Sequence, residues 1–368
     1  MSDSEGRALW AAVERMIAAF VRRGSSGEDF EALTLRALRW QRAQCPALDR
    51  ALAAVTLSSK PIETYGALVG LPVEVFASAR IACFLPEQTQ RTFLTSGTTG
   101  DVRGAHAFAS LGLYEQGALA MGSRYLLTAP RYALVYLAEA PEANPHSSLS
   151  AMLEMFAARQ ALEFADESGA LWGIREGALA AEVVREALVR ACAGTRPVAL
   201  LGASFAFVHL WDALGEGWRC ALPAGSVVMP TGGFKGRSRV LAMSDFFDEI
   251  TERFGVARAD IVQEYGMTEL SSQAYEAHRE GVAPGRYVTP PWMRIEAVDL
   301  ETLEVLPQGQ QGLLRVVDLA NLGSCVVLQT ADLGVVHADG VEVLGRMRGA
   351  APRGCARAVD AMLSEGRG

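Results

Sequence analysis

Between Tyr132 and Gly255 short, continuous apolar runs alternate with longer amphipathic ones, and this alternation restricts the possible folds more than any other feature. Tyr132 to Ala138 reads as a strand, Ser148 to Gln160 as a helix, and Ala178 to Ala193 as another helix. Val198 to Leu201 reads as a buried strand that turns through Gly202-Ala203-Ser204 into a helix from Phe205 to Leu214. Val227-Val228-Met229 is a further strand, running into Pro230-Thr231-Gly232-Gly233. Ser244 is expected to cap a helix that runs to Phe254, with Gly255 at its C-terminal end. Strands separated by helices predict an α/β sheet with binding loops at the strand ends.

The flanks have a different character. Leu9, Val13, Met16, Ile17, Phe20 and Val21 fall on one helical face that ends at Gly24. Phe30, Leu33, Ala37 and Trp40 make a second amphipathic helix, closed by Pro46. Gly66 to Leu85 reads as loop and short elements, with Gly104 to Phe108 a return strand and Leu111 to Leu127 a helix. Beyond Pro290, Met293–Val298, Leu313–Asp318, Cys325–Gln329, Gly334–His337 and Val341–Leu344 are short strands between turn residues, the pattern of a small antiparallel subdomain. The expected divisions are a helical segment over 1–90, an α/β core over 91–289, a β subdomain over 290–346 and a tail over 347–368.

Composition narrows the function classes. Half of the 368 residues are hydrophobic, and 34 basic against 42 acidic residues give a net charge of −8, with no basic surplus to bind nucleic acid. No apolar run approaches the roughly 18 residues that span a bilayer, and the N-terminal residues lack a signal-peptide layout, so a cytoplasmic protein without a membrane partner is expected. The six cysteines, at 45, 83, 192, 220, 325 and 355, include no C-x-x-C pair. That spacing predicts neither a zinc site nor a disulfide framework, and five of the six are expected to be small core residues.

Two glycine-rich stretches carry chemistry. Thr95-Ser96-Gly97-Thr98-Thr99-Gly100 follows the strand-like run Arg91-Thr92-Phe93-Leu94. Its glycines free the backbone to turn N–H groups toward an anion, and its hydroxyls add donors for phosphate oxygens. It is not a Walker loop, because no G-K-[ST] follows. Tyr265-Gly266-Met267-Thr268-Glu269 leaves a second strand-like run, Asp260 to Glu264, and offers an aromatic face, a hydroxyl and a carboxylate. A base, a phosphate and a magnesium ion could use those groups in turn.

In this order and spacing the two stretches resemble the adenylate-forming superfamily, whose members activate carboxylates with ATP. Thr231-Gly232-Gly233 resembles the family's adenine-side glycine pair, with Gly232 and Gly233 against the base. Gln329-Thr330-Ala331-Asp332 resembles its T-G-D stretch, Asp332 holding the ribose, with Ala331 where glycine is usual. Gly345-Arg346 resembles the hinge pair, whose arginine contacts ribose and phosphate. The resemblance implies the large α/β domain of an adenylate-forming enzyme with a small terminal β subdomain, and without the usual mobile C-terminal domain. It further implies Thr95 to Gly100 at the phosphates, Tyr265 on adenine and Glu269 on magnesium.

Phe205-Ala206-Phe207-Val208-His209-Leu210 and the ending Gly345-Arg346…Arg353-Gly354-Cys355 resemble more specifically the LuxE-like acyl-protein synthetases. Those proteins carry an acyl group on a C-terminal cysteine and pass it to a reductase. The resemblance makes Cys355 the thioester-forming nucleophile. The neighbouring Arg346, Arg348, Arg353 and Arg357 would lower its pKa. Phe205, Phe207 and His209 would line the acyl pocket.

Other readings stay open. After Gly100 the run is Asp101-Val102-Arg103, where the family often has a lysine, and Arg103 is the residue that could offset Asp101. The same cysteine could take the acyl group of a coenzyme A thioester, without ATP, and hand it to an acyl carrier protein. A non-catalytic nucleotide-binding partner is a third reading. Gly202-Ala203-Ser204-Phe205-Ala206 also approximates a hydrolase nucleophile elbow, although none of His209, His278 and His337 has the context of a triad partner.

Overall fold

The computed structural model describes residues 3–56, 62–96, 102–164, 169–233, 238–239 and 241–347. In chain order the elements begin with α1 (Ser4–Val21), α2 (Phe30–Gln44), α3 (Pro46–Thr56), β1 (Leu71–Pro72), β2 (Arg91–Leu94), β3 (Ala105–Phe108) and α4 (Gly112–Tyr125). There follow β4 (Ala133–Glu139), α5 (Ser148–Phe164), β5 (Ala170–Arg175), β6 (Ala178–Leu179), α6 (Ala181–Cys192), β7 (Val198–Ala203), α7 (Ser204–Leu214), β8 (Val227–Thr231) and α8 (Met243–Phe254). The remainder is strand: β9 (Glu264–Tyr265), β10 (Ala274–Glu276), β11 (Arg286–Val288), β12 (Met293–Val298), β13 (Gln311–Asp318), β14 (Val327–His337) and β15 (Gly340–Arg346). The chain divides into two compact units that interleave in sequence. One comprises 1–120, 267–273 and 288–368, and the other 121–266 and 274–287.

The second unit is the α/β layer that the alternation predicts. β5, β4, β7, β8 and β9 run parallel in that spatial order, and β10 pairs antiparallel with β9. The central strands β7 and β8 are continuous apolar runs because both faces are covered. On one face Phe207, Trp211, Phe246 and Ile250 close an apolar core with Val135, Leu200 and Val228. α8 ends where expected, at Gly255 with φ of 65°, a left-handed conformation that a side chain would disfavour. Ser244 is not its cap. The N-cap is Ala242, which makes no side-chain cap bond, and the Ser244 hydroxyl bonds to Asp245 instead. The short run at Leu171-Trp172-Gly173-Ile174 is a strand within β5 that the sequence pattern left unassigned.

Cys192 and Cys220 are joined by a disulfide in this unit, against the expectation of unpaired cysteines. The end of α6 and the segment before β8 bring their Cα atoms to 6.6 Å, a juxtaposition set by tertiary packing and invisible to local spacing rules.

In the first unit, Asp3 caps α1 by accepting from Gly6 N–H and also accepts from Trp40 Nε1 at 2.9 Å, fastening α1 to α2. α2 ends at Gln44, just before Pro46 as expected, and Pro46 also begins α3, where its missing N–H has no helical partner to lose. β12, β13, β14 and β15 form an antiparallel meander, and β1 adds to β14 in parallel. The two strands expected at Cys325–Gln329 and Gly334–His337 are one strand, β14, which continues through Thr330-Ala331-Asp332. β2 and β3 form a separate hairpin, with Phe93 opposite His106. No helix among the described residues is long and apolar enough to cross a membrane.

Candidate functional site

The phosphate-type loop leaves the end of β2. Thr95 N–H donates to Gly104 C=O at 2.9 Å, and Gly104 N–H donates to Thr95 Oγ1 at 2.8 Å, so the neck of the loop is closed by paired bonds. Arg103 adds a strap, donating from its guanidinium to the carbonyls of Thr95 and Leu94. Its role at the neck is therefore structural, with donors directed at the backbone. Ser96 is exposed, and Gly97, Thr98, Thr99 and Gly100 lie outside the described residues.

Thr268 and Glu269 belong to the same unit as this hairpin. Their segment is held by a buried polar network that the motif reading did not include. Asn321 donates from Nδ2 to Glu269 C=O at 2.8 Å and accepts from the Ser271 hydroxyl. Asp318 accepts from Ser271 N–H at 2.9 Å, Ser272 Oγ at 2.7 Å and Ala320 N–H at 3.0 Å. Trp292 Nε1 donates to Ser272 Oγ, and Gln41 ties down the turn by donating to the Asn321 and Leu322 carbonyls. His106 reaches from β3 to Thr268 C=O and to Ser324 Oγ, each at 2.9 Å. Burial of Asp318 pushes its carboxyl up to about 6, with its hydrogen-bond donors opposing that rise. Burial likewise pushes His106 down to about 4.

Glu269 is buried and Thr268 half-buried. Magnesium takes oxygen ligands and commonly completes its shell with water and phosphate oxygens. A single carboxylate fits such an ion, and no group of three potential ligating side chains occurs among the described residues. Asp332 on β14 stands directly opposite Arg346 on β15 in the antiparallel register. Two residues singled out separately in the sequence are thus cross-strand neighbours on one face of the ladder.

The second unit holds the residues that the resemblance assigns to adenine. Tyr265 ends β9, its ring 5.8 Å from that of Tyr287. Glu264, buried just before it, accepts from the Thr231 hydroxyl. Gly232, with φ of 61°, turns the chain after β8, and Gly233 follows it. Ser204 is fully buried and donates to Gly232 C=O at 2.6 Å and Thr231 C=O at 3.3 Å. The elbow serine is therefore a prop for this turn, shielded from any substrate, and the hydrolase reading fails on its geometry. Phe207 is fully buried against Trp211 and Phe246, whereas Phe205 is partly buried and His209 exposed. Phe207 is thus a core residue, with no face left for an acyl pocket.

A cavity of about 440 Å³ does occur in the first unit, among Trp10, Trp40, Phe84 and Phe108, with His106 and Ser271 in its wall. Cys355, Arg348, Arg353 and Arg357 lie outside the described residues. Of the other cysteines, two are bonded together, Cys45 and Cys325 are buried, and Cys83 is partly buried. Burial pushes the Cys325 thiol up to about 12 and raises that of Cys83 as well.

Residues 66–364 match the family described as acyl-protein synthetase, LuxE. A long-chain-fatty-acid–luciferin-component ligase from Vibrio harveyi is 27% identical over 140 residues, 35% of this chain and 35% of that one. An open conformation of 2-hydroxyisobutyryl-CoA ligase in complex with 2-HIB-AMP and CoA superposes with a TM-score of 0.62 at 14% identity. That match covers 86% of this chain and 69% of the ligase. ATP-bound MatB from Rhodopseudomonas palustris superposes with a TM-score of 0.50 at 17% identity, over 69% of this chain. The chain spans 47% of the MatB chain and 35% of the Vibrio harveyi ligase, less than two thirds of either. At these identities the structural likenesses speak to fold alone, and the fold is the mixed α/β architecture of adenylate-forming enzymes, as the sequence predicts.

Proposed function

The chain belongs to the LuxE family of acyl-protein synthetases, and on that premise we propose that it activates a carboxylic acid with ATP and carries the acyl group on Cys355 to a protein thiol. One observation carries this reading. A single compact unit holds the Thr95 hairpin, the Thr268–Glu269 segment and the facing Asp332–Arg346 pair, and His106 bonds the first of these to the second.

The substrate carboxylate attacks the α-phosphorus of ATP, pyrophosphate leaves, and an acyl-adenylate remains. The exposed Ser96 hydroxyl and the backbone of the Thr95–Gly100 loop receive phosphate oxygens, with the Thr268 hydroxyl as a further donor. Glu269 would hold a magnesium ion, which would supply positive charge against the phosphate oxygens. Asp332 takes the ribose hydroxyls and Arg346 the acyl phosphate. The Cys355 thiolate then attacks the acyl carbon, AMP leaves, and the thioester passes by exchange to the partner's thiol, regenerating Cys355. The partner is a reductase or an acyl carrier protein. The state of the other thiols supports this choice of nucleophile, since burial or pairing withdraws them from thiolate chemistry.

One observation favours a second reading. Arg103 directs its Nε and one Nη at the Thr95 and Leu94 carbonyls, donors that a triphosphate would otherwise engage. In that reading a coenzyme A thioester supplies the acyl group to Cys355, and the route after the thioester is unchanged.

Pyrophosphate release separates the two. With magnesium and the right acid the wild type should release pyrophosphate, and Glu269→Gln should lower the rate at least about a hundredfold while leaving the melting temperature in place. Acyl transfer from coenzyme A with no acid-dependent pyrophosphate release would overturn the ATP reading in favour of the second.

A further inference from the structure

His106 joins three segments far apart in the chain. It sits on β3 opposite Phe93, its ring 4.1 Å from Phe108 and 5.5 Å from Phe76, and it is almost wholly buried. Nδ1 lies 2.9 Å from Thr268 C=O, and Nε2 lies 2.9 Å from Ser324 Oγ. A carbonyl oxygen only accepts, so Nδ1 carries the proton, and Nε2 then accepts the Ser324 hydroxyl proton. The carbonyl fixes the neutral Nδ1–H tautomer, the hydroxyl adapts to it, and the aromatic packing fixes the ring plane. Asn321 holds the next carbonyl, that of Glu269, from the same turn that contains Ser324.

We propose that His106 is a positioning residue. Through its Nδ1–H it sets the backbone of Thr268, and so the aim of the Thr268 hydroxyl and the Glu269 carboxylate, relative to the hairpin that carries the phosphate loop. The inference rests on the nucleotide reading above for its consequence, although the tether itself is a feature of the fold. The histidine touches neither nucleotide nor acyl group in this account. It acts by holding one carbonyl, and a rotation of that peptide would swing both functional side chains.

The two ends of the imidazole can be removed separately. The amide nitrogen of asparagine falls where Nδ1 stood and keeps the bond to Thr268, while that of glutamine falls near Nε2 and keeps only the Ser324 end. His106→Asn should stay within about threefold of wild-type KM for ATP. His106→Gln should raise it about tenfold, the factor that loss of one buried hydrogen bond amounts to. Melting temperatures locate any general loss of fold. Amide hydrogen exchange of the peptide spanning 267–272 gives a readout that needs no activity, and it should quicken in His106→Gln and not in His106→Asn. Equal KM values in the two variants, or a fall in activity that follows the melting temperature in both, would overturn the proposal. If the wild type shows no ATP-dependent reaction, the function reading has failed and exchange decides alone. Faster exchange confined to His106→Gln then supports the tether, and identical exchange in both variants overturns it.

Discussion

The interior of the α/β unit and the interior that backs Thr268 and Glu269 are filled with opposite chemistry. The first is apolar, with Phe207, Trp211, Phe246 and Ile250 packed on Val135, Leu200 and Val228. The second buries Gln41, His106, Ser271, Asp318, Asn321 and Ser324, and joins them by hydrogen bonds. Apolar packing is tolerant of shape changes and contributes stability without strict direction. A satisfied polar network is directional, and it holds its members at defined angles because an unmet partner in a low-dielectric interior is costly. The difference assigns stability mainly to the apolar core and geometry mainly to the polar one, and each half of that contrast can be tested.

The largest effect should come from the apolar side. Phe246 is fully buried, its ring 5.1 Å from Trp211 and 6.2 Å from Phe207. Phe246→Ala should lower unfolding free energy by about 3–5 kcal/mol in urea titration. A loss under about 1 kcal/mol would mean that the core collapses freely around the gap, and the contrast would lose its first half.

The polar side should reveal itself through pH. His106 is depressed from 6.5 to about 4 by burial, so its contribution is whole above pH 6.5 and is lost as pH falls through about 4. Asp318 is raised from 3.8 to about 6 by burial, so its contribution is whole below pH 3.8 and is lost as pH rises through about 6. The two slopes oppose each other across the same window. Replacing the histidine with a group that does not titrate should leave the Asp318 slope alone. His106→Asn should therefore gain stability relative to wild type as pH falls from about 6.5 to 4, by about 3 kcal/mol in all. Parallel stability curves for the two proteins would show that the network does not hold His106 neutral.

The smallest effect belongs to Ser204. Its hydroxyl props the carbonyls of Thr231 and Gly232, so Ser204→Ala should cost about 1 kcal/mol of stability and leave acyl transfer within a fewfold of wild type. Complete loss of activity with an intact fold would restore the nucleophile-elbow reading.

Much of this was legible in the residue order. Period and punctuation placed β4, β7, α7, β8 and the terminal strands, because a parallel sheet buried on both faces requires continuous apolar runs. Thr95, Thr268, Glu269, Asp332 and Arg346 were singled out through resemblance, and the register that sets Asp332 opposite Arg346 was not legible. Pairing between strands depends on the whole meander. The supporting residues were the least legible. His106 is one histidine in a four-residue strand, and Asp318 and Asn321 look like ordinary turn formers beside Gly323. Their long-range partners lie between 46 and 218 positions away, beyond the reach of any local pattern. The same distance explains the disulfide, whose two cysteines are 28 residues apart. Ser204 shows the converse error, a local pattern that suggested exposure where tertiary packing buries the group completely.

On the proposed function one acyl group rides on Cys355. Incubation with acyl donor, followed by intact-protein mass measurement and peptide mapping, tests it without knowledge of the partner. The wild type should gain a single acyl mass, released by neutral hydroxylamine and located on the peptide containing Cys355, and Cys355→Ala should gain none. Delivery of the acyl group to a protein thiol at the wild-type rate by Cys355→Ala would contradict the account.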